Sequence, residues 1–126
     1  MFQIMDRLFI SDWPEAQQAD PNEFVRVTVA IDSPFKGEEF FPLVDGRRSE
    51  NRPEYDLAVE RISELLAEGK KVICHCVVGR SRSAAVVLGV LMRQMPFVEA
   101  LRLLLHRHPE ADPRLSLFEH LLLDNE

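Results

Sequence analysis

The fold is decided by the stretch Lys71-Val72-Ile73-Cys74-His75-Cys76-Val77-Val78-Gly79-Arg80-Ser81-Arg82-Ser83, which passes from an apolar segment through a short loop into an apolar helix. Residues 71–76 lack polar alternation, which is typical of a strand buried on both faces of a sheet. Residues 83–94 are rich in Ala, Val, Leu and Met and are long enough for about three helical turns. The order strand, loop, helix turns the N–H groups of residues 77–82 and the positive helix end toward one spot, which attracts an anion.

The side chains of this loop supply the groups that phosphoryl chemistry needs. Cys76, among inward N–H groups, a helix N-terminus and a guanidinium, is expected to be a nucleophilic thiolate at neutral pH. Arg82 presents a planar fork of donors that can bind two phosphoryl oxygens at once. Ser83 is placed to donate its hydroxyl to the sulfur when the thiolate departs. The loop itself forms the predicted substrate-binding rim: Val77, Val78, Gly79, Arg80, Ser81 and Arg82.

The motif His75-Cys76-x5-Arg82-Ser83 resembles the signature of the cysteine-dependent protein tyrosine phosphatases. The surrounding sequence resembles the dual-specificity branch over nearly the full chain, in four further segments: Met5–Asp12, Phe41–Asp45, Ser83–Met92 and Phe97–Leu101. The resemblance implies a phosphatase-type fold, a phosphocysteine intermediate on Cys76 and a supporting role for His75. It also implies catalysis without a cofactor or metal, and a shallow site that accepts phosphoserine and phosphothreonine as well as phosphotyrosine.

The reaction also requires a proton for the leaving oxygen, and a carboxylic acid about thirty residues before the cysteine meets that need. Asp45 fits this description, and the resemblance assigns the general-acid role to the same residue. Asp56 is the competitor, but it falls on the polar face of a helical pattern. The neighbouring Arg47 and Arg48 could attract an anionic substrate, yet they would also favour the ionised aspartate.

Several alternative roles are open for the residues around the nucleophile. Cys74 is expected to be a buried strand residue, with a redox role toward Cys76 as the second interpretation. Metal binding by this cluster is disfavoured, because no second ligand pair follows at zinc spacing. His106 and His108 are expected on the surface.

Composition places the chain among small enzymes that bind neither nucleic acid nor membrane. The 126 residues are expected to form one catalytic domain, residues 1–126, and the hydrophobic fraction of 46% excludes disorder. A formal net charge of −6 argues against affinity for nucleic acid or anionic lipid. No segment reaches membrane-spanning length, and a catalytic thiolate requires a reducing compartment. We therefore expect a cytoplasmic monomer.

Alternating strand and helix patterns predict an α/β fold with a mainly parallel central sheet of about four to five strands, flanked by helices on both faces. Predicted strands lie within Gln3–Ile10, Val25–Ile31, Phe40–Val44 and Lys71–Cys76. A short helix is expected at Trp13–Ala19, and a longer one is expected to start at Asn51–Pro53 and end at Gly69. Further helices follow the loop, separated by Pro96 and by Asp112-Pro113.

The leading hypothesis is a phosphatase that hydrolyses phosphorylated proteins or small phosphomonoesters. Arg80 stands where some lipid- and inositol-directed relatives carry a basic residue, so inositol phosphates form an alternative substrate class. A second hypothesis is a binding module that recognises phosphorylated partners without turnover. Sulfur transfer or arsenate reduction through Cys76 is a third, but it leaves Asp45 and Ser83 without a role.

Overall fold

The computed structural model describes residues 1–44 and 48–123, with the backbone alone for residues 48–50. Five strands and five helices occur in that part of the chain. The strands are β1 (Phe2–Met5), β2 (Leu8–Ser11), β3 (Phe24–Thr28), β4 (Glu39–Phe40) and β5 (Lys71–His75). The helices are α1 (Trp13–Gln18), α2 (Arg48–Ala67), α3 (Arg82–Leu91), α4 (Phe97–Arg107) and α5 (Leu115–Leu123).

The strands form one sheet in the order β1-β2-β5-β3-β4. Only the β1–β2 pair is antiparallel, and the pairs β2–β5, β5–β3 and β3–β4 are parallel. β5 is the central strand, and its residues after Lys71 are buried, as expected for a strand covered on both faces. The predicted α/β architecture and mainly parallel sheet are confirmed.

The two faces of the sheet carry different neighbours. Val72 and Cys74 point into the main hydrophobic core, together with residues of α2, α3 and α5. Ile73 is paired with Arg26, and the Arg26 guanidinium reaches carbonyl oxygens of α1, so α1 covers the opposite face. None of the helices in residues 1–44 and 48–123 is both long enough and apolar enough to cross a membrane.

The boundaries of β3, β4 and α2 differ from the sequence prediction. β3 ends at Thr28, and the chain then leaves the sheet, with the Ile31 N–H bonded to the carbonyl of Leu43 at 3.0 Å. β4 ends at Phe40, because a tight turn from Phe41 to Leu43, closed by a 2.9 Å hydrogen bond, stops the extended pairing. α2 begins at Arg48, so Pro53 lies inside the helix, where its ring removes a backbone hydrogen bond.

Candidate active site

Cys76 lies directly after β5, at the base of the loop that leads into α3, and only 3% of its surface is exposed. Its Sγ atom accepts a hydrogen bond from the Gly79 N–H at 3.3 Å. The Ser83 hydroxyl lies 3.3 Å from the same sulfur. A backbone N–H of the loop and a hydroxyl at the start of α3 therefore lie next to the sulfur.

Gly79 allows the loop to close against the start of the chain. Its φ angle is +83°, a region that side chains disfavour, and a Cβ atom would lie 2.7 Å from the carbonyl oxygen of Ser11. On the same side of the loop, the Trp13 N–H donates to the Val77 carbonyl at 3.3 Å. The loop is thus packed tightly on the junction between β2 and α1.

A buried chain of hydrogen bonds orients His75, the residue before Cys76. The His75 Nδ1 lies 3.2 Å from the Cys76 carbonyl, so this nitrogen carries the proton. Burial lowers the pKa of His75, which favours the neutral ring and leaves Nε2 as an acceptor. Thr28 Oγ1, 2.7 Å from Nε2, then donates to it and accepts from the Gly37 N–H at 2.8 Å.

The guanidinium of Arg82, the first residue of α3, is held by hydrogen bonds at one of its nitrogens. Its Nη1 donates to Asp32 Oδ1 at 2.6 Å and to the Leu43 carbonyl at 3.1 Å. The guanidinium is 8% exposed, whereas the Asp32 side chain is 61% exposed. The hydrogen bond from Arg82 lowers the pKa of Asp32, so Asp32 is an ionised carboxylate at neutral pH and a poor proton donor.

The predicted general acid, Asp45, lies outside the described residues, as do Arg47 and the side chain of Arg48. The residue before Asp45 is firmly anchored, however. Asn51 accepts from the Val44 N–H at 2.7 Å and donates to the Val44 carbonyl at 2.5 Å. Leu43, one residue earlier, bonds to Arg82. The backbone of residues 43 and 44 is therefore fixed next to Arg82.

The rim of the loop is apolar apart from Arg80, whose positive charge is paired with a carboxylate. Val78 is 62% exposed, and Val77 is partly buried against the core. Arg80 pairs with Glu110 at 2.9 Å on the surface. Ser81 forms the N-cap position of α3. Arg80 thus offers less net positive charge to an incoming substrate than its sequence position alone indicates.

Other residues weighed from the sequence lie apart from this loop or take no polar part in it. Asp56 bonds to His120 at 2.8 Å, on the exposed side of α2. Cys74 is fully buried, and burial raises the pKa of its thiol well above the ordinary value. Within residues 1–44 and 48–123, no group of three or more potential ligands could hold a metal ion.

Sequence reasoning missed Asp32, Thr28 and Asn51, and it was wrong about His108. Asp32 and Thr28 follow or end β3 next to β5, and the carboxyl ends of parallel strands meet at one edge, so their positions were a usable signal. His108 is buried, whereas His106 is exposed. The spacing argument failed because α4 ends at Arg107, and His108 no longer follows helical periodicity.

The comparisons with known proteins agree with one another. A family model, the catalytic domain of dual specificity phosphatases, matches residues 12–125. Dual specificity protein phosphatase 1 of Arabidopsis thaliana is 29% identical over 105 residues, which are 82% of this chain and 47% of that protein. Human dual specificity protein phosphatase 12 is 36% identical over 74 residues, 57% of this chain and 22% of that protein. The chain thus spans less than half the length of these curated relatives.

Among solved structures, human DUSP28 has the same fold, with a TM-score of 0.80 and 19% sequence identity. The alignment covers 97% of this chain and 90% of that structure. The sheet and helices described above are therefore those of the phosphatase fold.

Replacing Asp32 by Asn is expected to strengthen binding of inorganic phosphate. The amide oxygen can still accept from Arg82, but the negative charge that repels a phosphate dianion is gone, and we expect an inhibition constant about threefold lower. Competitive inhibition of aryl phosphate turnover by phosphate measures it. Asp6→Asn makes the same charge change at the opposite end of β2 and serves as the control. Equal inhibition constants for phosphate in the two variants would contradict a competition between Asp32 and phosphate for Arg82.

Acidification is expected to destabilise the protein through His75. Because its pKa is lowered in the folded state, the unfolded chain binds the extra proton first, and the free energy of unfolding falls as pH drops below about 6.5. The contribution is fully present above that pH. Urea denaturation between pH 7.5 and 5 measures the slope, which His75→Gln should flatten and the exposed control His106→Gln should leave unchanged. An unaltered slope in His75→Gln would contradict the assignment.

Proposed function

Because this chain belongs to the dual specificity phosphatase family, we propose that it hydrolyses phosphomonoesters through a phosphocysteine on Cys76. The substrates we propose are phosphotyrosine, phosphoserine and phosphothreonine in proteins. The observation that carries the proposal is the position of the Cys76 sulfur, enclosed by the Gly79 N–H and the Ser83 hydroxyl next to a buried Arg82. In this arrangement, the oxygens of a phosphoryl group that approaches the Cys76 thiolate would face hydrogen-bond donors.

In the first step, the Cys76 thiolate attacks phosphorus, the S–P bond forms and the bond to the leaving oxygen breaks. The loop N–H groups and the Arg82 guanidinium hold the three remaining oxygens. Among the residues that the structure describes, Asp32 and the Leu43 carbonyl engage Nη1 of Arg82, and Nε and Nη2 are the proposed donors to the phosphoryl group. This division of one guanidinium between protein and substrate supports the proposed role of Arg82.

Asp45 is the proposed donor of the proton to the leaving oxygen. The anchoring of the residues before it supports this proposal, because Val44 is held by Asn51 and Leu43 bonds to Arg82. Two other aspartates are less suited to the role. Asp32 is kept ionised by Arg82, and Asp56 is bonded to His120 on the exposed side of α2.

In the second step, Asp45 takes a proton from water, and the water oxygen attacks phosphorus as the S–P bond breaks. The electron pair of that bond returns to the Cys76 sulfur. Ser83, 3.3 Å from the sulfur, is the proposed donor that stabilises the departing thiolate. Inorganic phosphate then leaves, and the enzyme returns to its starting state.

The rim favours protein substrates over inositol phosphates. Val77 and Val78 present an apolar edge next to the nucleophile, and the basic residue Arg80 is paired with Glu110. A multiply phosphorylated inositol would require unpaired positive charge there. We further propose that residues 1–126 act as a single catalytic domain and as a cytoplasmic monomer, without cofactor or nucleic acid, since the net charge is −6 and the thiol requires reducing conditions.

The turnover of a small aryl phosphate tests the proposed activity directly. The protein is expected to release phosphate from p-nitrophenyl phosphate, and Cys76→Ser is expected to abolish turnover while inorganic phosphate still binds, because the cradle remains. Cys74→Ala, two residues away, is the matched control and should retain most of the activity. Absence of turnover by the unmodified protein at every pH between 5 and 8 would refute the enzyme and favour the phosphoprotein-binding module.

The assignment of the acid is tested by Asp45→Asn with two leaving groups. We expect kcat on phenyl phosphate, whose leaving group needs a proton, to fall about 100-fold, and the loss on p-nitrophenyl phosphate to be smaller. The descending alkaline limb of the pH–rate profile should also disappear. Asp56→Asn is the control. An Asp45→Asn enzyme that keeps its alkaline limb would refute the assignment.

A further inference from the structure

Three carbonyl groups of the loop between β5 and α3 accept hydrogen bonds from donors in other parts of the protein. The Val77 carbonyl accepts from the Trp13 N–H at 3.3 Å, and the Arg80 carbonyl accepts from the Asp112 N–H at 2.7 Å. The Gly79 carbonyl accepts from a side chain, His108 Nε2, at 2.7 Å. Three peptide planes of the loop are therefore held from outside.

Holding a carbonyl from outside determines where the next N–H points. In a trans peptide the C=O and N–H bonds are antiparallel, and all described peptides here are trans. With the carbonyls of Gly79 and Arg80 fixed outward, the N–H groups of Arg80 and Ser81 are turned toward the inside of the loop. These are groups that a bound phosphoryl oxygen needs as donors.

His108 is built into its position from several sides. It is the C-cap residue of α4 and is 2% exposed. The ring of Phe2 stacks on it, with centroids 3.9 Å apart and an interplanar angle of 18°. Because a carbonyl can only accept, Nε2 carries a proton. Nδ1 is buried and finds no partner among the described residues. Stacking on Phe2 and the hydrogen bond to the Gly79 carbonyl therefore orient the His108 ring.

We infer that His108 is a positioning residue of the active site, which fixes the Gly79–Arg80 peptide so that its N–H faces the phosphoryl group. The inference rests on the proposed phosphatase function. It also links the sulfur to α4, since Gly79 contributes both the carbonyl bound by His108 and the N–H bound by Cys76 Sγ. Trp13 and Asp112 use backbone donors, whereas His108 uses a side chain that substitution can remove.

The test compares His108→Phe, which keeps a stacking ring but has no donor, with His108→Gln, whose amide nitrogen can replace Nε2. The first measurement is the alkylation of Cys76 by iodoacetate and its protection by inorganic phosphate, followed by mass spectrometry. The second is kcat/KM for p-nitrophenyl phosphate. His120→Phe, which removes a hydrogen bond between α5 and α2 away from the loop, is the matched control.

We expect His108→Phe to raise the half-protecting phosphate concentration and to lower kcat/KM, each about tenfold, since small misplacements of an oriented donor are costly. In both measurements, His108→Gln should stay within about threefold of the unmodified protein, and His120→Phe should equal the unmodified protein. We expect these results even if a variant has a lower melting temperature. Unchanged phosphate protection in His108→Phe would overturn the inference. Equal impairment of the Gln and Phe variants would overturn it as well, because the ring and not its hydrogen bond would then matter.

Two provisions keep this test separate from that of the proposed function. If the unmodified protein shows no turnover, the protection assay still reports whether His108 orders an anion site. If His108→Phe does not fold, Phe2→Leu at the partly exposed stacking partner carries the test, with an expected loss of phosphate protection of about threefold. Protection equal to that of the unmodified protein in Phe2→Leu would then overturn the inference.

Discussion

β5 is hydrogen-bonded along both edges, to β2 and to β3, and these two pairings fix where the chemistry of the molecule takes place. The register sets His75 level with Ser11 on one side and with Thr28 on the other. Because all three strands are parallel, their carboxyl ends open at the same edge of the sheet. Cys76, the proposed nucleophile, follows β5 there, the loop packs on Ser11, and His75 bonds to Thr28.

Two arginines at this edge, Arg82 and Arg80, each have a carboxylate partner within the protein before any substrate arrives. The ionised Asp32 occupies one nitrogen of Arg82, and Glu110 occupies Arg80 at the rim. A phosphate dianion therefore meets an arginine that already has a carboxylate partner. We expect this competition to moderate the affinity for phosphate, which would suit the proposed phosphatase, because its product is the ion that the loop is proposed to bind.

The sequence predicted most of the fold and the position of the Ser83 hydroxyl next to the Cys76 sulfur, for a physical reason. Apolar runs and glycine positions report on burial and local backbone shape, and these are properties that neighbouring residues determine together. Local patterns did not identify Asn51, which is one polar residue among many. Asp32 could be found only from the strand arrangement, because its partner Arg82 lies 50 residues away along the chain. His108 was assigned wrongly to the surface, since its burial depends on where α4 ends and on a ring contributed by Phe2.

The burial of Cys74 has a practical consequence for the chemistry of the chain. Its thiol is inaccessible, and burial keeps it protonated, although Cys76 lies only two residues further along. Electrophiles react with thiolates that they can reach. With Cys76 as the proposed thiolate, we expect this chain of two cysteines to behave toward such reagents as a single-thiol protein, so that the stoichiometry of labelling of the folded protein would count intact sites.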